Sequence, residues 1–139
     1  MRERELGPDH TPYQALGRPA VEALAKRFYD HMDANEPELV GVHRRDESGR
    51  VASVVRERFA SFLVQWLGGP DDYSQAHGHP RLRMRHGHVP IGALHRDAWL
   101  RCMNAALDHP EVSPEVREYL GKRFAEVAEF LRNRPDDGR

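Results

Sequence analysis

The fold of this chain is decided by the segment from Gly68 to Met103, which reads GGPDDYSQAHGHPRLRMRHGHVPIGALHRDAWLRCM. Its two glycines and proline supply a left-handed helix cap and then a residue that cannot continue a helix. A polar stretch follows from Asp71 to about Pro80, and helical spacing returns only near Gly92. A connection of this length is uncommon inside a compact domain, where it usually forms a functional loop or wraps around a ligand.

Apolar residues recur at helical spacing on the N-terminal side of this segment. A first apolar stripe contains Val21, Leu24, Ala25, Phe28 and Met32, with Tyr29 at its edge. Pro19 suits the first turn of the helix that carries this stripe. A second stripe contains Val51, Val54, Val55, Phe59, Phe62, Leu63, Trp66 and Leu67. Charged side chains occupy the opposite side of that second helix, at Arg56, Glu57 and Arg58. We therefore expect two amphipathic helices before the segment.

Two further helices are expected towards the C-terminal end. One runs from about Gly92 to Leu107 and carries Leu94, Trp99, Cys102, Met103 and Ala106. The last begins near Ser113 and Pro114, a pair suited to an N-cap and a first turn, and continues through Val116, Leu120, Phe124, Val127 and Leu131. Since no segment alternates apolar and polar residues as a strand does, the sequence predicts an all-α fold of four principal helices.

Length and composition limit the function further. The 139 residues suit one domain, which we place at 12–133 between a flexible arm at 1–11 and a flexible tail at 134–139. The 21 Lys and Arg residues balance the 22 Asp and Glu residues, which disfavours nucleic-acid binding. The single cysteine, Cys102, cannot form an internal disulfide, and no apolar run suits a signal peptide or a membrane span. We expect a cytoplasmic protein without integral membrane insertion.

Group II truncated haemoglobins are the family that this chain resembles, through the pattern GGPxxYxxxxGHPxLRxRH followed by RDAWLxCM. The pieces YQALG at 13–17 and RFYDHM at 27–32 extend the resemblance, which covers about residues 12–132. It implies a truncated globin fold, in which two antiparallel helix pairs form a two-over-two sandwich around haem. It also implies that the cofactor is haem b, iron protoporphyrin IX.

Position within the family pattern assigns residues to the two sides of the haem iron. The resemblance makes the last histidine of RLRMRH, His86, the proximal iron ligand, while spacing alone leaves His88 as a rival. It makes Tyr29 and Trp99 hydrogen-bond donors to bound oxygen, with His43 as a third distal residue. Because bound oxygen carries partial negative charge, a donor aimed at it forms a charge-assisted bond and slows its release.

The same resemblance assigns the remaining contacts to the haem. We expect Arg85, Tyr73 and Arg83 to bind the haem propionates, since guanidinium groups bind carboxylates through two atoms. The residues expected to line the apolar pocket are Val55, Phe59, Phe62, Leu63, Met84, Val89, Ile91 and Met103.

The activity that the resemblance implies is reversible binding of oxygen, carbon monoxide, nitric oxide or related diatomic gases at a five-coordinate iron. Oxygen transport, nitric oxide dioxygenation and peroxidase-like chemistry all use such a pocket. The sequence therefore leaves open whether the chain is an enzyme and whether it works with a reductase. It also leaves open a monomer or a homodimer.

A metal site built from histidines alone is the main alternative. Two H-x-H pairs are formed by His77, His79, His86 and His88, and such pairs occur at zinc-binding and hydrolytic sites. Against this alternative, the sequence places no convincing carboxylate or cysteine partner nearby, and the family pattern already contains His79. Nucleic-acid binding through the arginines of the same segment is disfavoured by the balanced charge of the chain.

Overall fold

The computed structural model of the protein describes residues 11–78 and 92–131, which are mainly helical. The helices are α1 (Pro12–Leu16), α2 (Arg18–Asn35), α3 (Pro37–Val40), α4 (Ser53–Trp66), α5 (Asp72–His77), α6 (Ala93–Leu107) and α7 (Pro114–Leu131). Within these ranges, paired extended backbone is limited to one isolated bridge between Arg45 and Val51. The all-α prediction is confirmed for this part of the chain, with α2, α4, α6 and α7 as its principal helices.

The longest elements form two packed pairs. Helix α2 packs against α4, and α6 packs against α7, while α2 also crosses α6 and so joins the two pairs. The first stripe predicted for α2 is buried: Val21, Leu24, Ala25, Phe28 and Met32 are each at most 2% exposed. Because this stripe faces two helices at once, α2 lies at the centre of the hydrophobic core.

A tight bend separates the short α1 from α2. The side chain of Thr11 accepts a hydrogen bond from the backbone of Gln14, whose side chain accepts one from Thr11, so α1 begins with a capping box. Gly17 ends α1 with a φ of 87°, a left-handed value that glycine adopts without steric cost. The backbone N–H of Tyr13 donates to the carbonyl of Leu67 at 2.9 Å, which ties α1 to the end of α4.

Helix α4 begins later than the apolar stripe predicted. Val51 is buried as expected but lies before the helix, since its N–H donates to the Asp33 carboxylate at 3.0 Å and its backbone pairs with Arg45. Val54, in the first helical turn, is 41% exposed, so its assignment to the buried stripe was wrong. Leu94 lies on α6 as predicted, but in its first turn, where it is 63% exposed. Burial on both helices begins after the first turn.

The polar stretch after Gly69 contains a helix that the sequence did not predict. Ser74 of α5 forms two hydrogen bonds with one side chain of α4: its N–H donates to Gln65 Oε1 at 2.8 Å, and its hydroxyl accepts from Gln65 Nε2 at 2.7 Å. Tyr73 is 5% exposed. Tertiary contacts, rather than an apolar pattern, therefore hold α5.

Across the ranges that the structure describes, no helix combines the length and the apolar character needed to cross a membrane.

Candidate functional site

Tyr29 lies in a buried aromatic cluster between α2 and α4. Its side chain is 3% exposed. The ring stands edge-on to Phe28 at 4.9 Å between ring centroids and edge-on to Phe59 of α4 at 5.4 Å. These two rings hold the phenol from its own helix and from the neighbouring one, which limits its rotation.

Trp99 enters the same cluster from α6. Its indole ring contacts Phe28 at 5.3 Å and Phe124 of α7 at 5.6 Å, and it remains partly exposed. Phe28 therefore contacts both Tyr29 and Trp99. The crossing of α2 and α6 brings together two of the residues that the family pattern assigned to the distal side, although they are far apart in sequence.

His43 lies just after α3 and faces the ring of Tyr29. The two ring centroids are 5.9 Å apart with an interplanar angle of 86°. The Nδ1 atom of His43 lies 2.7 Å from the carbonyl oxygen of Leu39. Because a carbonyl oxygen only accepts, we assign the hydrogen to Nδ1, which leaves Nε2 of the neutral ring as an acceptor. In that state His43 has no second ring N–H to donate.

Burial and charge both act on the Tyr29 hydroxyl. Loss of solvent disfavours the phenolate and raises the pKa of Tyr29 well above its usual range, although the nearby Arg56 cation acts in the opposite direction. The guanidinium carbon of Arg56 lies 5.5 Å from the centroid of the Tyr29 ring. The phenol consequently keeps its proton and remains a hydrogen-bond donor at neutral pH.

Arg56 is the residue of this site that the sequence interpretation missed. It was placed with Glu57 and Arg58 on the solvent side of α4, whereas its side chain is only 19% exposed. It forms ion pairs with Asp30 and Asp33 of α2. The sequence signal for this ion pair was the spacing of Asp30 and Asp33, three positions apart on α2. The sequence did not indicate that α4 packs against α2 at these two residues.

Several apolar side chains of α4 are only partly covered, which fits a flat apolar group such as haem. Val55, Phe59 and Phe62 pack against the core yet keep part of their surface exposed, although apolar side chains of this size gain most when fully buried. Leu63 and Met103, also predicted to line the pocket, are both 0% exposed and are part of the protein core. The row Val55, Phe59 and Phe62 is therefore the described surface best suited to contact a porphyrin face.

Tyr73, a predicted propionate contact, lies on α5 beside this row. Its ring stands edge-on to Phe62 at 5.7 Å and is tilted against His77 at 4.9 Å. The short helix α5 thus brings Tyr73 to the edge of the partly covered apolar row.

The other predicted haem contacts lie outside the described residues. They are the iron ligand His86, its rival His88, the propionate contacts Arg83 and Arg85, and the lining residues Met84, Val89 and Ile91. Of the four histidines in the alternative metal site, only His77 is described. Over residues 11–78 and 92–131, no three His, Cys, Asp or Glu side chains are grouped to hold a metal ion.

Comparison with known proteins agrees with this arrangement. The family model of bacterial-like globins matches residues 11–133. The group 2 truncated hemoglobin YjbI of Bacillus subtilis is 36% identical over 127 residues, which cover 91% of this chain and 92% of that protein.

Solved structures show the same similarity at the level of the fold. The group II truncated hemoglobin of Bacillus anthracis superimposes with a TM-score of 0.82 at 32% identity, covering 95% of this chain and 97% of that chain. A truncated oxygen-avid haemoglobin from Bacillus subtilis superimposes with a TM-score of 0.79 at 36% identity, covering 89% and 100%. The expected two-over-two truncated globin fold is thereby confirmed, and the histidine-cluster alternative is not favoured. The chain belongs to the bacterial-like globin family, as a group II truncated haemoglobin with the haem-based binding of small ligands that this family implies.

Proposed function

We propose that this globin binds oxygen reversibly on haem b and releases it slowly. When bound, the haem supplies an iron with one open side for a diatomic ligand, including carbon monoxide and nitric oxide. We assign His86 as the protein ligand of the iron, and Arg83, Arg85 and Tyr73 as partners of the propionates. The oxygen-avid relative from Bacillus subtilis supports this choice of ligand.

The observation that carries the proposal is the buried phenol of Tyr29 in contact with Phe28 and Phe59. A neutral donor held rigidly in an apolar pocket stabilises a ligand that takes on partial negative charge. Hydrogen bonds to charged groups contribute about 1.5–3 kcal/mol, which corresponds to a tenfold to more than hundredfold slower release. Trp99 supplies a second donor from α6, through its indole N–H.

His43 has a different role in this proposal. With its Nδ1 hydrogen directed to Leu39, the neutral imidazole presents an acceptor to its surroundings. We assign His43 to the distal side through its edge-on ring contact with Tyr29, rather than through direct donation to the ligand. The two donors of the pocket are then Tyr29 and Trp99.

The proposal is tested first by absorbance. Protein purified with haem, or reconstituted with hemin, should show a Soret band, and His86→Ala should change that band while His95→Ala leaves it unchanged. A colourless protein that instead binds zinc in stoichiometric amounts would contradict haem binding and favour the histidine cluster.

Oxygen release is tested by stopped-flow measurement on the ferrous protein. Tyr29→Phe and Trp99→Phe should each raise the oxygen off-rate at least about tenfold, because each removes one donor and leaves an aromatic ring in its place. Tyr119→Phe is the matched control, since Tyr119 is 40% exposed on α7. Oxygen off-rates that stay at the unsubstituted value in both pocket variants would refute slow release through these donors.

A further inference from the structure

The guanidinium group of Arg56 is held from three directions at the crossing of α2 and α4. Its Nε donates to the carbonyl of Val51 at 3.0 Å, its Nη1 donates to Asp30 at 3.1 Å, and its Nη2 donates to Asp33. A planar group bonded at all three nitrogens has little freedom to rotate. We name Asp30, Asp33 and Arg56 the carboxylate clamp.

Two of the three clamp side chains are largely enclosed, while Asp30 is 37% exposed. The Asp33 side chain is 11% exposed and that of Arg56 is 19% exposed. Partial burial raises the pKa of Asp30, but hydrogen bonds from Lys26 and Arg56 outweigh that effect, and the pKa is lowered overall. The Asp30 carboxylate therefore stays ionised at neutral pH. At 19% exposure, the Arg56 cation is less screened by water than a surface arginine.

The clamped cation lies over the face of the Tyr29 ring. The distance of 5.5 Å from its guanidinium carbon to the ring centroid is within the range of a cation–π contact. Asp30 follows Tyr29 directly in α2. The carboxylate that binds the guanidinium group and the ring below that group therefore lie in one helical turn. Phe28 and Phe59 stand edge-on to the same ring.

We infer that Arg56 is a positioning residue for Tyr29. It fixes the orientation of the Tyr29 ring, and its charge makes the Tyr29 hydroxyl a stronger hydrogen-bond donor. The inference rests on the proposed role of Tyr29 in ligand binding. When the Tyr29 hydroxyl donates to a polar acceptor, the negative charge on the phenol oxygen increases. A fixed positive charge above the ring stabilises that negative charge and so strengthens the hydrogen bond. The direction in which Arg56 shifts the pKa of Tyr29 agrees with this effect.

The structure offers a matched ion pair as a control. Arg101 of α6 donates from Nε and Nη2 to the two carboxylate oxygens of Glu36, at 2.7 and 2.9 Å. The Glu36 side chain is 12% exposed, close to the value for Asp33. The Arg101 side chain is 58% exposed, against 19% for Arg56. Arg101→Met therefore removes the partner of a comparably enclosed carboxylate while the cation above Tyr29 stays in place.

Substitution of Arg56 should leave the protein folded. Arg50 lies within ion-pair distance of both clamp carboxylates, at 3.4 Å from Asp33 and 3.5 Å from Asp30, and Lys26 lies 2.7 Å from Asp30. These cations remain in Arg56→Met. Arg56→Lys is the second variant, since it keeps the charge and loses the planar fork.

The test measures oxygen release from the haem-loaded ferrous protein. Arg56→Met should raise the oxygen off-rate about threefold to tenfold, and Arg56→Lys should raise it less. Arg101→Met should leave the off-rate within about twofold of the unsubstituted protein. In a Tyr29→Phe background, Arg56→Met should cause no further change, because its effect requires the phenol hydroxyl.

A spectroscopic measurement separates electrostatic tuning from a general loss of stability. In the diamagnetic carbon monoxide complex labelled with 13C at tyrosine Cζ, the Tyr29 signal should shift in Arg56→Met and stay in place in Arg101→Met. The Tyr29→Phe variant assigns that signal. Urea unfolding of the same variants reports any stability that the two ion pairs contribute.

Each outcome supports or overturns a specific statement. If Tyr29→Phe and Trp99→Phe both leave the oxygen off-rate unchanged, the proposed function fails. If only Tyr29→Phe leaves it unchanged, slow release rests on Trp99 and the inference about Arg56 fails. If Tyr29→Phe raises the off-rate but Arg56→Met does not, only the inference about Arg56 fails. An Arg56→Met effect that persists in the Tyr29→Phe background also overturns it, since the arginine would then act without the phenol.

Discussion

Cys102 shows at the scale of one residue how burial sets the chemistry of a side chain. Its thiol is 0% exposed on α6. Loss of solvent raises the pKa of Cys102 most, and the Glu36 carboxylate raises it further. The Arg101 cation lowers this pKa by less, so it rises to about 12. Since the thiolate is the reactive form, this cysteine belongs to the core rather than to redox chemistry.

We predict that Cys102 is unreactive in the folded protein. At pH 8, labelling by a thiol reagent should be at least about a hundredfold slower in the native state than in urea, because both access and thiolate are lacking. Mass spectrometry of samples quenched over time measures the two rates. Rapid labelling of the native protein would show that the thiol is accessible or ionised.

The same pKa shift predicts an alkaline loss of stability. A group whose pKa is raised on folding stabilises the native state fully below its ordinary pKa, here 9.0, and this stabilisation is lost as the pH rises towards 12. The free energy of unfolding should therefore decline above pH 9, and Cys102→Ala should decline less steeply. Urea titrations between pH 8 and pH 10.5, in roughly half-unit steps, compare the two slopes.

At the scale of elements, the end of α4 is shaped by contact with α1. Gly68 has a φ of 108°, and a Cβ atom there would lie 2.6 Å from Cβ of Thr11. Thr11 cannot easily turn away, because its hydroxyl caps α1. The two glycines that end the helix in the sequence therefore also provide the space in which α1 docks, which the local pattern did not reveal.

We predict that Gly68→Ala destabilises the protein by more than its backbone angle alone explains. Gly49 is the control, since its φ is 86° and nothing lies within 4 Å of an added Cβ. Gly49→Ala should cost about 1–2 kcal/mol of unfolding free energy, and Gly68→Ala at least about 1 kcal/mol more through overpacking. Equal losses in urea unfolding would show that Thr11 moves freely.

At the scale of the whole molecule, Phe124 joins the two helix pairs. The residue lies on α7 and is 3% exposed. Its ring stacks on Trp66 of α4 at 5.1 Å and contacts Trp99 of α6 at 5.6 Å. A single side chain thus connects one pair to the other at the level of the candidate pocket.

We predict that Phe124→Ala lowers the free energy of unfolding by about 3–5 kcal/mol, the usual cost of removing a buried aromatic ring. Tyr119→Ala on the same helix should cost less than about 1 kcal/mol, since Tyr119 is 40% exposed. Thermal and urea unfolding of both variants provide the comparison. Similar losses in the two variants would mean that Phe124 does not connect the helix pairs.

Local patterns were sufficient for the principal helices, while the assignment of pocket residues stays a prediction. The spacing of Val21, Leu24, Phe28 and Met32 specified both a helix and its buried side, because a helical face repeats every three to four residues in the sequence. The pattern from Gly68 to Met103, together with RFYDHM, pointed to the truncated globin family and to Tyr29 and Trp99.

What only the tertiary structure decided is where the helices cross and which polar groups meet there. Arg56 reads as a solvent-facing residue of α4, yet Asp30 and Asp33 of α2 draw it over the Tyr29 ring. Val54 reads as part of the apolar stripe, yet it lies in the first turn of α4 and is 41% exposed. Helical periodicity gives the direction of a side chain around its own axis, whereas the groups it meets depend on packing between residues distant in sequence.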